Sequence, residues 1–240
     1  MRHAAQLVLL HLDAHVVVVD KPSGLLVHRT HSGSGEEALL QRLRDQLGRR
    51  VHPVHRLDRM TSGLIAYGLD RRAAGRLQAG LQAADARKEY LALVRGLFPA
   101  RLECRSPLVD DEGVVRDAHS EFERLTAFPG ARATLVRARI HTGRPHQIRR
   151  HLALLGHHVL GDTRYGKARA NRAFAARHGL ERPFLHAWLL DVAHPSGGRL
   201  TVTAPLPPEL CAVLRRMSGA AHGFSCGAWS SSAAWFVAPC

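Results

Sequence analysis

Val16-Val17-Val18-Val19 is a wholly β-branched run stopped by Asp20-Lys21-Pro22-Ser23-Gly24, the pattern of a buried strand that runs into a tight turn. Leu25-Leu26-Val27 is expected to resume a strand. Across residues 36–48, Leu39, Leu40, Leu43 and Leu47 fall at helical spacing, and Gly48 supplies the stop. Leu64 to Leu69 reads as a strand. Ala73, Ala74, Leu77 and Leu81 then keep a helical period that ends before Lys88, where Tyr90-Leu91-Ala92-Leu93-Val94 begins another strand.

In the second half, Ala133 to Ile140 interleaves Leu135 with arginines at 132, 137 and 139, which predicts a half-exposed strand with a basic outer face. Arg144-Pro145 opens a helix with proline near its first turn; Ile148, Leu152 and Leu155 form its apolar side and Gly156 ends it. Strands follow at Leu185 to Val192 and Arg199 to Ala204, then a helix from Pro208 to Met217. Helices and strands are mixed without the regular alternation of a Rossmann domain. Residues 219–240 hold small residues and serines around two tryptophans with no period, and read as a loose tail after a domain spanning 1–218. No repeat stands out at solenoid periods.

A chain of 240 residues can fill one domain and bury a substantial core. Its 34 basic and 20 acidic side chains give a formal charge of +14, spread along the chain. That favours a polyanionic partner, and nucleic acid fits, because neutralising phosphates releases condensed counterions; a membrane surface is the competitor. The cysteines at 104, 211, 226 and 240 form no Cys-x-x-Cys pair and are expected as reduced thiols. The apolar run Ala4 to Leu10 is interrupted by His11, Asp13 and His15 and is neither a secretory signal nor a membrane span, so the cytoplasm is the expected compartment and a monomer the expected state. Seventeen histidines raise a metal reading, but His146 and His151 are five apart. That puts them about 140° apart round a helix, so they do not converge as an i, i+4 pair would. No metal is expected.

The densest chemistry lies in His55-Arg56-Leu57-Asp58-Arg59-Met60-Thr61-Ser62-Gly63-Leu64. Asp58 sits between two arginines, which favour the ionised carboxylate that a nucleophile needs. Taken alone, the same residues describe a salt-bridged turn. The whole string resembles the signature of the RluA-type RNA pseudouridine synthases, and further motifs follow in the family's order. These are Asp20-Lys21-Pro22-Ser23-Gly24, the run Lys88 to Gly96, the run Thr142 to Ala153, Gly161-Asp162-Thr163-Arg164-Tyr165-Gly166 and Leu185-His186-Ala187. The likeness extends over about residues 7 to 210 and implies a mixed α+β domain, with a largely antiparallel sheet and flanking helices around a basic cleft.

The resemblance also implies roles. Asp58 is the catalytic carboxylate, Tyr90 lines the uracil pocket and Arg149 contacts the carboxylate. Arg56 takes the place vacated by a flipped base, which offsets part of the few kcal/mol that flipping costs. Arg144 and His146 of the third motif are expected on the RNA-binding side. Arg149 lies one position past Ile148, about 100° round the helix, so it can leave the apolar face and reach a cleft. The implied reaction detaches uracil from C1′ and reattaches it through C5, with no net oxidation or hydrolysis, so no cofactor is expected. Whether Asp58 attacks C1′, attacks C6 or stabilises a ribose intermediate stays open, as does the base that takes the C5 proton.

Within that family the chain looks most like the branch acting on tRNA position 65. Leu26-Val27-His28-Arg29, the run Gly166 to Arg172 and His178-Gly179-Leu180 carry this likeness, whereas Met60 and Tyr165 depart from the family's or the branch's usual residues. Ribosomal RNA is the alternative substrate. Two other classes stay open: a non-catalytic RNA-binding module, which would not need Asp58, Tyr90 and Arg149 together, and a hydrolase with paired acids. The best second acid for a hydrolase is Asp162, which reads as a turn residue beside Gly161.

Overall fold

The computed structural model describes residues 6–28 and 38–218. The tail expected over 219–240 and the first residues of the helix expected from 36 lie outside that range. β1 (Val8–Leu12) and β2 (Val16–Lys21) form a hairpin closed by Asp13, whose Oδ1 accepts the amide protons of His15 and Val16 at 2.7 and 2.8 Å. All four valines of β2 are fully buried. The segment after the turn does not resume a strand. The carbonyls of Leu26 and Val27 instead accept the amide protons of Leu39 and Leu40, the first residues of α1 (Leu39–Leu47). Ala38, at the N-cap, has no side-chain acceptor to offer, so the preceding chain serves as the cap. Gly48 ends α1 in the left-handed conformation, as expected.

The chain continues through β3 (His52–Pro53), β4 (Ser62–Gly68), α2 (Arg71–Gln82), β5 (Arg87–Arg95), β6 (Arg101–Cys104), β7 (Leu108–Val109), β8 (Val115–Arg116), β9 (Ser120–Phe128) and β10 (Ala133–Ile140). It ends with α3 (Gln147–Leu154), α4 (Ala168–His178), β11 (Leu185–Ala193), β12 (Arg199–Thr203) and α5 (Pro208–Ser218). Among the described residues the main sheet has ten strands, in the order β1-β2-β4-β11-β5-β10-β9-β6, with β12 on β11 and β3 on β4. The mixed α+β architecture with a largely antiparallel sheet is the one the family resemblance implied.

One junction breaks the antiparallel rule. β4 meets β11 in parallel, through only His186 opposite Ser62 and Ala187 opposite Gly63. Gly63 has φ +104°, and a Cβ there would run into the Ala187 carbonyl, so the close approach needs glycine. β11 also pairs β5, so this late strand is inserted between two early ones. Val16 to Val19, Leu39, Leu43 and Tyr67 pack with Leu190, Val192 and Val202 in a core on the β4 side. On the β5 side, Leu91, Leu93 and Leu135 meet Phe174, Trp188, Leu210 and Leu214.

Two expectations about β10 and α3 need correction. The arginines of β10 do not make an exposed basic face: Arg137 is half-buried and ion-pairs with Glu123 and, at 3.8 Å, with Glu89. α3 begins at Gln147, not at Arg144-Pro145. The Gln147 side chain accepts from the Thr142 hydroxyl (2.7 Å) and the Arg144 amide (3.0 Å), which folds residues 142–146 into a turn ahead of the helix. Cys104 is a free buried thiol as expected, whereas Cys211 is disulfide-bonded, which corrects the expectation there. Among the described residues no helix is long and apolar enough to cross a membrane.

Candidate active site

A cleft of about 520 Å³ opens where the loop before β4, strand β5 and the turn into α3 come together. Its floor carries Asp58. Two hydrogen-bonded loops hold that residue. The Lys21 ammonium is fully buried and donates its protons to the carbonyls of Pro22 (2.9 Å), Leu25 (2.8 Å) and Arg59 (2.9 Å). Gly24 donates its amide proton to the Arg59 carbonyl, and Arg59 Nε returns a bond to the Gly24 carbonyl, both at 2.9 Å. The lysine-proline turn and the aspartate loop are thus sewn together, which is the structural reason both motifs are present. Burial pushes the Lys21 ammonium down to about 7, with Arg182 adding to the effect and Asp58 opposing it. His55 accepts the Ala66 amide proton on Nε2 at 2.9 Å, and burial, then Lys88, lowers it to about 4, so it serves as a neutral acceptor.

Arg149 reaches Asp58 from α3. Its Nη1 donates to Asp58 Oδ2 at 2.8 Å, while Nε and Nη2 donate to the two oxygens of Asp162 at 2.8 and 2.9 Å. Asp162 is fully buried, and its Oδ1 also accepts the amide protons of Arg164 (2.9 Å) and Tyr165 (3.1 Å). Burial alone would raise its carboxyl, but the Arg149 guanidinium and the two amides outweigh burial and hold it below the usual carboxylate range. Burial alone would likewise lower Arg149, and the two aspartates overcome it. Asp162 is a turn residue, as read, but it is also the second anchor of Arg149. Composition and spacing carried no signal for that role beyond the Gly161-Asp162 pair.

His146 precedes α3 at φ 54°, an uncommon conformation for a residue with a side chain. Its Nδ1 meets the Tyr165 hydroxyl at 3.0 Å, and its Nε2 lies 3.8 Å from Asp58 Oδ1. Burial lowers this imidazole, with Asp58 opposing and Arg149 and Arg164 reinforcing. Tyr90 stands half-buried on β5 and lines the cleft opposite this turn; burial, then the Asp58 charge, pushes its phenol well up, so it stays protonated.

The other expected residues divide. Arg56 is exposed at the cleft mouth and makes no ion pair with Asp58 or any other described residue, so the loop is not a salt bridge between them. Arg144 lines the cleft and donates Nε to the Asp117 carbonyl at 2.8 Å. His151 is buried and bonded to Ser120 and to the Ser106 carbonyl, away from any ligand role.

Two histidine-carboxylate groups exist among the described residues, His119-Glu121-His141 at the cleft rim and His11-Asp13-His194 elsewhere. In the first, the imidazoles stack at 4.1 Å with planes 12° apart. Nitrogen lone pairs lie in the ring plane, so rings this far apart share no point at a metal bond length of about 2.1 Å. In the second, the Ser196 amide donates to His194 Nδ1 at 3.2 Å, which leaves Nε2–H to donate to Asp13 at 2.9 Å. The first is a ring stack beside the Glu121 carboxylate, 3.0 Å from His141 Nε2, and the second a hydrogen-bonded arrangement.

A family model described as RNA pseudouridylate synthase matches residues 15–154. The tRNA pseudouridine synthase C of Pasteurella multocida is 36% identical over 208 residues, covering 78% of this chain and 86% of that protein. The tRNA pseudouridine synthase C of Haemophilus influenzae is 34% identical over 223 residues, covering 84% and 93%. In fold, the chain is similar to human RNA pseudouridylate synthase domain containing 4, with TM-score 0.72 and 24% identity over 88% of this chain and 92% of that one. Human RNA pseudouridylate synthase domain containing 1 gives TM-score 0.71 at 24% identity, with coverage of 89% and 90%.

Proposed function

Because the chain belongs to the RNA pseudouridylate synthase family, an isomerase family acting on RNA uridine, we propose that it converts uridine to pseudouridine in tRNA, at position 65, with Asp58 as the catalytic carboxylate. One observation carries the assignment to Asp58. Its carboxylate lies in a cleft of a size that suits a flipped nucleoside, held by an arginine whose other nitrogens are already committed to Asp162. The tRNA reading is supported by full-length relatives named tRNA pseudouridine synthase C. Position 65 rests on the branch likeness of residues 166–172 and 178–180. A tRNA substrate fits the cytoplasmic location expected from the sequence.

On this reading each residue has a task. Arg149 fixes the direction of the Asp58 carboxylate, since a guanidinium clamped by Asp162 cannot swing away. The C1′–N1 bond breaks, the uracil turns beside the Tyr90 ring, C1′ bonds to C5, and the C5 proton leaves while N1 ends with one proton gained, so the net change is an isomerisation. The protonated Tyr90 hydroxyl can donate to a uracil carbonyl while the ring faces the base. Arg56, exposed and unpaired among the described residues, is free to enter the duplex where the base has left. Arg144 and His146, on the turn ahead of α3, face the RNA across the cleft.

Mapping pseudouridine after incubation with tRNA and ribosomal RNA, using wild-type and Asp58→Asn protein, tests the reading. The expected result is modification at tRNA position 65 by wild type only, with RNA affinity kept in the variant. Modification confined to ribosomal RNA would overturn the substrate, and undiminished turnover by Asp58→Asn would overturn the role of the carboxylate.

A further inference from the structure

We propose that α4 and the turn leading into it form a docking surface for the phosphate backbone of the folded RNA outside the target nucleotide. The proposal rests on the RNA reading above and says where the body of the substrate lies. Residues 163–180 contain Arg164, Lys167, Arg169, Arg172 and Arg177 and no aspartate or glutamate. All five side chains are exposed, and none makes a hydrogen bond or ion pair with a described residue; the Arg164 guanidinium lies only against the Tyr165 ring, at 5.5 Å.

Several arginines elsewhere on the molecule are matched by a carboxylate, although single ones such as Arg56 at the cleft mouth are not. Arg87 pairs with Glu89, Arg116 with Asp110, Arg137 with Glu123, and Arg199 with Asp85 and Asp191. A surface helix needs no such imbalance for its own stability, because glutamates placed four residues from these arginines would support it and neutralise them. Uncompensated cations in one patch are what a polyanion selects.

The patch is also tied rigidly to the chemistry. α4 buries only Phe174 and His178, so packing alone fixes it weakly. Asn171 fixes it further, donating Nδ2 to the Asp162 carbonyl at 2.7 Å and accepting the Gly161 amide proton at 3.1 Å. Gly166 lets the turn close over this bond, since a Cβ there would sit 2.8 Å from Asn171 Nδ2. Asp162 holds Arg149, and Arg149 meets Asp58. Phosphates bound along α4 are therefore held at a fixed distance from the catalytic carboxylate, and the helix serves as a ruler for which uridine enters the cleft.

The test compares wild-type protein with an Arg169→Gln, Arg172→Gln, Arg177→Gln triple variant on a tRNA transcript. Kd is measured at 50 and 200 mM KCl, and the single-turnover rate at saturating RNA. The variant leaves three phosphates without a cation, and each carries a salt slope of about 0.9, so the fourfold rise in salt should weaken wild type about 40-fold more than the variant. The saturated rate should stay within about twofold. Equal affinities with equal salt slopes would overturn the proposal, and so would a fall in saturated rate at unchanged Kd. A wild-type protein that binds tRNA without making pseudouridine would defeat the functional reading alone, because Kd and its salt slope still report on docking. Binding to anionic lipid vesicles that depends on these arginines, with RNA affinity untouched, would reassign the surface and overturn the proposal.

Discussion

Replacing Asp162 with asparagine removes one charge from a buried carboxylate and leaves the shape of the side chain intact. Asp162 takes two of the three hydrogen bonds that Arg149 makes to carboxylates, and Asp58 takes the third. Bonds to a charged group contribute roughly 1.5–3 kcal/mol each, and breaking a buried pair by neutralising one partner costs about 3–5 kcal/mol. The amide NH2 of asparagine would also face an Arg149 N–H, donor against donor. The expected loss of stability is about 3 kcal/mol. Arg149 would then be held by Asp58 alone, and a displacement of about 1 Å at a reacting group costs on the order of 100-fold in rate. The assay is release of the C5 hydrogen from tritiated tRNA at saturating RNA, alongside urea unfolding. The saturated rate should fall about 100-fold with KM for RNA nearly unchanged. A rate within threefold of wild type would refute the idea that Asp162 sets the direction of Arg149. The pH dependence has a definite sign: Asp162 is held below its unfolded value near 4, so its contribution is full above that pH and is lost as pH falls through its lower folded value. The stability gap between wild type and variant should therefore close only in acid.

Gly63→Ala should lose about 3 kcal/mol or fail to fold, because the new Cβ meets the Ala187 backbone, which cannot yield without parting β4 from β11; unfolding midpoints near wild type would contradict this packing. His186 is fully buried between Ser62 and the Ala204 carbonyl, and burial pushes it down to about 4. A depressed histidine contributes stability that is present above its unfolded value near 6.5 and is lost as pH falls toward 4. His186→Gln should therefore flatten the stability profile between those limits by up to about 1.4 kcal/mol per pH unit, and equal slopes in denaturant titrations would exclude a buried neutral imidazole.

What could be read from the chain follows from where its physics is local. The β2 valines, the leucines of α1 and the left-handed Gly48 announce themselves because one period and one cap residue suffice. α4 leaves no period in the sequence because its one large buried apolar residue is Phe174, and a period cannot be drawn through a single point. β9 keeps a two-residue period only over Ser120 to Glu123, before the irregularity in its pairing with β10 near Arg124, and its order comes from pairing with β10 and β6. Leu25 to Val27 looked like strand because the residues are apolar, yet their carbonyls were needed at the head of α1, well along the chain. At the site, the resemblance implied that Asp58, Tyr90 and Arg149 lie near one another, but the clamp by Asp162 is a fact of geometry between α3 and the turn that follows it.

The insertion of β11 between β4 and β5 has a consequence for how the protein comes into being. A chain emerging from the ribosome carries Asp58, Tyr90 and Arg149 by residue 149, within the span that the family model recognises, 15–154. At that length β4 and β5 have no strand between them, and the core on the β4 side still lacks Leu190, Val192 and Val202. Every residue named for the chemistry is therefore made before the strand that unites the two parts of the sheet. A fragment that ends at 154 would contain Asp58, Tyr90 and Arg149 without Asp162 or the framework that aligns them, so competence arrives late in synthesis, with a strand that contributes none of these three side chains.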